Sequence, residues 1–115
     1  MSGAISRIAQ AVSEGKSSPT KTVTRALQSI ESSNPTLNYM AQHCPEAALE
    51  AAANHSAIGP LAGVPVLVKD LEQVIGLPTR KGSLALSDAP PEKVDGTVVA
   101  RLKAAGAIVV GKTTL

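Results

Sequence analysis

Phenylalanine and tryptophan are absent from this 115-residue chain, and Tyr39 is its only aromatic residue. Any core must therefore be aliphatic, and there is no set of ring faces on which the bases of a single-stranded nucleic acid could stack. An excess of one charge is lacking too. Eleven Lys and Arg stand against nine Asp and Glu, scattered without blocks, which offers no basic surface to a nucleic-acid backbone. Cys44 is the only cysteine, so no disulfide can form within the chain and nothing demands an oxidising compartment. Its neighbour His43 is at the wrong spacing for a shared metal site on a helix or strand, and His55 has no partner at ligand spacing. No metal and no cofactor is expected. No apolar run approaches membrane-spanning length, and Arg7, Gln10 and Glu14 interrupt the first apolar pattern, so neither a membrane partner nor a leader peptide is indicated. These absences together suggest a cytoplasmic protein whose partners are not nucleic acids.

What is present suggests a folded domain. Hydrophobic residues make up 43% of the chain and charged ones 17%, a balance that argues against disorder. Ile5, Ile8, Ala9 and Val12 recur at helical spacing, and Gly15 closes that pattern. Ser18 and Pro19 then provide an N-cap and a first helical residue for a second helix, with Val23, Ala26, Leu27 and Ile30 on one side. Asn34-Pro35 is expected to end it in a turn, followed by a short extended piece over residues 37–41. A third helix is expected over residues 45–55, where alanines are dense. These helices carry no cluster of titratable groups on their apolar faces and read as packing elements.

The stretch from Gly59 to Asp70 organises the rest. A Pro-Gly corner breaks the preceding helix, and Val64, Val66, Leu67 and Val68 form a short β-branched run of the kind found in buried parallel strands. It ends on Lys69, at the carboxyl end of a strand, where open α/β sheets usually place their chemistry. Residues 71–82 read as a lip-like loop with a short extended stretch over 73–75, and residues 87–94, with Pro90-Pro91, as a second loop. Asp95 is expected to cap a helix running to about Ala105 with Val98, Val99 and Leu102 buried, and Gly106 to terminate it. Ala107 to Val110 is a second buried strand, and strand, helix, strand implies parallel pairing with a right-handed crossover. Residues 106–113 satisfy the phosphate-loop pattern G-x-x-x-x-G-K-[ST] letter for letter. There, however, the four variable positions are themselves strand residues and a helix precedes the first glycine, which inverts the required order.

Several separated blocks, in order, resemble the opening of the amidase signature family: residues 63–70 (Gly-Val-Pro-Val-Leu-Val-Lys-Asp), 76–79 (Gly-Leu-Pro-Thr), Gly82-Ser83, Asp95-Gly96, Gly106-Ala107 and 109–113 (Val-Val-Gly-Lys-Thr). The resemblance implies an α/β fold in which N-terminal helices lead into the first parallel strands of a mixed sheet. Residues 1–58 would be the helical lead-in and residues 59–115 the start of the core of one amidase domain. It also implies hydrolysis of carbon–nitrogen bonds in a small-molecule amide by a serine, a cis-serine and a lysine. That lysine corresponds to Lys69, acting as general base through the cis-serine and then returning a proton to the leaving amine. Only a neutral lysine can do so, and partial burial at the end of an apolar strand would penalise the ammonium form. The two serines belong to a Gly/Ser-rich segment that the family carries after the portion matched here, so residues 1–115 alone are expected to be inactive. Ser83 does not correspond to the nucleophile, and Asp70, pointing away from Lys69, suits a structural role. Lys112 and Thr113 correspond to family positions at a strand end, while Thr114 stands where the family commonly has Asn. The amidase component of a tRNA-dependent amidotransferase shares all of these features. A non-catalytic interaction module is the alternative from a different class, and bare strand edges would favour association into a homo-oligomer.

Overall fold

The computed structural model describes residues 3–115. Helix α1 (Ala4–Ser13) forms on the Ile/Ala/Val stripe and buries Ala9 and Val12. It ends at Glu14, and Gly15 takes the left-handed φ of 76° that turns the chain. Helix α2 (Pro19–Leu37) begins as the sequence indicates, with the Ser18 hydroxyl accepting the Lys21 amide and Pro19 in the first turn. It buries Val23 and Ile30.

The end of α2 departs from expectation: Asn34-Pro35 does not stop it, and helix continues to Leu37. Pro35, Thr36 and Leu37 are exposed, so the amide that proline lacks is missing on a side where water can serve the freed carbonyl. The actual terminator is Asn38, left-handed at φ 50°. The Asn34 carboxamide oxygen then accepts from the amides of both Tyr39 and Met40, guiding the chain into strand β1 (Met40–His43). Helix α3 (Pro45–Ala53) ends two residues before His55, whose ring bridges two backbone groups: Nδ1 accepts the Ala57 amide and Nε2–H donates to the Gly106 carbonyl.

Strand β2 (Pro65–Lys69) and strand β3 (Ile108–Thr113) pair in parallel, and β1 pairs antiparallel to β3, giving a mixed three-stranded sheet in the order β1-β3-β2. β3 is central and buried from Ile108 to Lys112. β2 borders only one strand among the described residues, and along it Val66 is half-buried and Leu67 is exposed, an apolar face left uncovered. Between β2 and β3 lie a single-turn helix (Leu84–Leu86) and helix α4 (Thr97–Ala104). Asp95 does not cap α4. Gly96 occupies that position without a side-chain bond, and the Asp95 carboxylate instead accepts from the Ile75 amide and the Lys103 ammonium. The α4 helix thus starts on bare amides, and Asp95 ties it to the 71–82 loop.

Two aliphatic clusters close on the sheet. One joins Val23, Ile30, Met40, Ala48, Ala52, Ile108 and Val110, and the other Val68, Val74, Val99 and Val109. The second is the seam by which α4 covers the sheet beside the end of β2. Gly106 sits where a Cβ would meet the Ala62 Cα and the Ile58 carbonyl at 2.8 Å, at φ 105°, so only glycine allows the chain to pass from α4 into β3 there. With residues 108–113 in a strand after this turn, the phosphate-loop reading has no structural basis.

Candidate active site

Alternation along β2 sends Val68 and Asp70 inward and Lys69 to the opposite face. Lys69 is exposed, not partly buried as its place at the end of an apolar run suggests. The ion pairs among the described residues are Lys16–Glu14, Lys103–Asp95 and Lys112–Asp70, which leaves the Lys69 amine uncommitted. Its backbone is firmly held. Lys69 lies in register with Thr113, the Asp70 amide donates to the Thr113 carbonyl, and the Glu72 amide donates to the Lys69 carbonyl.

Immediately beneath is a polar cluster whose extent no local pattern in the sequence reveals. Asp70 is 3% exposed and Lys112 fully buried, and the Lys112 ammonium lies 3.3 Å from the Asp70 carboxylate. That same Asp70 oxygen accepts from Gln42 Nε2 at 3.0 Å and from the Arg80 amide at 3.3 Å. Lys112 also donates to the Pro78 carbonyl at 3.0 Å and the Thr79 hydroxyl at 3.4 Å, and Gln42 donates to the same Pro78 carbonyl at 2.8 Å. The Asp70 carbonyl accepts the Lys81 amide. Gln42 of β1, Lys112 of β3 and Asp70, the residue that follows β2, together with residues 78–81, therefore converge on the position next to Lys69. Asp70 has the structural part expected of it, while Gln42 carries no signal in the sequence, because β1 brings it to the site from 28 residues upstream.

The Ser83 hydroxyl accepts the Ala85 amide and caps the short helix. Cys44 is half-buried, its thiol directed at the Val109 carbonyl, and burial pushes the thiol pKa above its ordinary value. A groove of about 450 Å³ runs between the 71–82 loop and residues 86–97, lined by Leu71, Glu72, Thr79, Lys81 and Glu92 among others but not by Lys69. No helix among the described residues is long and apolar enough to cross a membrane.

The motif, the parallel strand pair and the lysine at the strand end agree with a direct comparison, in which the amidase family profile matches residues 21–115. The chain belongs to the amidase family. It is 39% identical over 117 aligned residues to a glutamyl-tRNA(Gln) amidotransferase subunit of Rhodopirellula baltica, covering 96% of this chain and 23% of that protein. Among solved structures it is similar to the peptide amidase of Stenotrophomonas maltophilia, 32% identical with a TM-score of 0.85, covering 96% of this chain and 24% of that one. It also resembles a 6-aminohexanoate cyclic dimer hydrolase, 27% identical with a TM-score of 0.84, covering 95% and 23%. The chain thus spans about a quarter of the length of the relatives it matches.

Proposed function

We propose that residues 1–115 are the N-terminal part of one amidase domain, with residues 1–58 as lead-in and 59–115 as the start of its core, and that Lys69 is the general base of an amide hydrolase acting on a small-molecule amide. The observation that carries this reading is the uncommitted amine of Lys69, presented at the carboxyl end of β2 in a chain that belongs to the amidases. Amide cleavage needs a nucleophile, a group to take its proton and donors for the oxyanion. Lys69 can take the proton, and nothing among residues 3–115 is arranged as the other two. The remaining sequence of the domain would supply them, together with the cover that turns an exposed ammonium into a neutral amine. As an isolated polypeptide, residues 1–115 are inactive on this reading, and the free outer edge of β2 makes them prone to self-association.

The test is Lys69→Ala in a protein that carries this segment within a whole amidase domain. The rate of amide hydrolysis should fall by about a hundred-fold or more, with the melting temperature nearly unchanged, because the side chain removed packs against nothing inside. A variant that keeps its rate removes the reading.

A second reading, the amidase component of a tRNA-dependent amidotransferase, is favoured by the 39% identity to such a protein. In that case the hydrolysed amide feeds a partner's reaction, and glutamine hydrolysis rises when the partner proteins are added. Activity on simple amides that is indifferent to such partners decides for a free-standing amidase.

A further inference from the structure

We propose that the buried Lys112–Asp70 pair is a positioning device for Lys69, fixing the residue beside it and cancelling the Asp70 charge at the point where Lys69 must give up a proton. The inference rests on the reading of Lys69 as the base. Three observations carry it. The first is the convergence of contacts on Asp70. Its carboxylate takes Lys112, Gln42 and the Arg80 amide, its amide goes to Thr113 and its carbonyl to Lys81, so the residue following Lys69 is held through its side chain and both backbone groups. The peptide that leaves Lys69 therefore cannot swing, and the side-chain direction is set by the strand.

The second observation is burial. A fully buried ammonium beside a carboxylate that is 3% exposed is an expensive arrangement, often no more stable than a pair of apolar residues of the same volume. Stability alone gives the chain little reason to have it. The third is sequence adjacency. Unpaired, the Asp70 carboxylate would lie one residue from Lys69 and favour its ammonium form, which is the wrong form for a base. Lys112, on the central strand, supplies the opposite charge from below. The other charged groups around this strand end are Glu72, which follows on the loop, and Arg80 and Lys81 on the turn bonded to Asp70. These remain in place in every variant below, so the comparison reads the pair alone.

The experiment measures pH–rate profiles of a whole amidase domain carrying this segment as parent, Lys112→Met, Asp70→Asn, the double variant and Lys69→Arg. Lys112→Met removes a positive charge and should move the rising limb of the profile to higher pH, by about half a unit for a charge acting through partly wet surroundings. Asp70→Asn removes a negative charge and should move it to lower pH by a similar amount. The double variant removes both and should return the limb to the parent position. Its kcat should nevertheless stay about ten-fold down at unchanged KM, because the ionic tie on residue 70 is gone. Should either single variant fail to fold, the double variant, which leaves no lone buried charge, still tests the positioning half. Parent kcat in the double variant, or single variants whose limbs stay put or move the same way, overturns the proposal. An inactive Lys69→Arg beside those outcomes overturns this proposal alone, whereas an active Lys69→Arg overturns the base reading and this inference with it.

Discussion

Two lysines stand near the carboxyl ends of neighbouring strands of one sheet and meet opposite fates. Lys112, on central β3, is fully buried and spends its charge on Asp70, Pro78 and Thr79, while Lys69, on outer β2, is exposed and spends its charge on nothing among the described residues. Composition does not separate them, since each closes an apolar run and each is followed by a polar residue. The difference is one of position in the sheet. A central strand has covered faces and neighbours on both sides, so a cation there survives only if fully paired. An outer strand leaves its alternate residues open and a charge free for use. Of two strand-end lysines, the unpaired one is therefore the candidate for chemistry.

Stability measurements can break or sharpen this contrast. The largest effect is expected at Lys112→Met, which strands a buried Asp70 carboxylate and should cost about 3–5 kcal/mol in a denaturant titration. Gln42→Leu removes one donor from that carboxylate and exposes the Pro78 carbonyl to an apolar neighbour, so about 1–2 kcal/mol is expected from the same titration. Lys69→Met touches no internal contact and should stay within about 0.5 kcal/mol. A Lys69→Met loss as large as that of Lys112→Met would erase the distinction between the two lysines.

The smallest effect is a matter of pH. Burial raises the pKa of the Cys44 thiol, so the folded chain binds that proton more tightly than the unfolded one. Its contribution to stability is complete below the usual thiol range and is lost as the pH climbs past it. Alkylation at mildly alkaline pH should accordingly be slower in the folded protein than in urea, and equal rates would contradict the assignment.

Much of the fold is legible in the sequence because it is local. The Ser18-Pro19 start of α2, the valine run of β2, the Gly106 turn and the family-like block around Lys69 are written in neighbouring residues, and the structure has each of them. What is not legible depends on distant partners. Asn34-Pro35 reads as a stop, yet a proline on an exposed final turn is tolerated, and Asn34 and Asn38 do the stopping. Asp95 has the sequence of a cap, but Ile75 and Lys103 compete for its carboxylate and win. Val66 and Leu67 have the composition of a central strand, and which strands border β2 is a property of pairing and not of propensity; among the described residues it borders β3 alone. In the candidate site, Lys69 is announced by its motif, whereas the Gln42–Asp70–Lys112 cluster beneath it joins residues far apart in the chain, and no spacing rule could announce it.

The most direct test of the central claim is the rate of Lys69→Arg in a whole amidase domain carrying this segment. Arginine keeps the positive charge and most of the length, yet its guanidinium does not release a proton at working pH. If Lys69 is the base, kcat/KM should fall by about a hundred-fold or more while the melting temperature holds. An arginine enzyme that retains most of the parent rate would show that the exposed lysine serves by its charge alone, and that the base of the reaction is elsewhere.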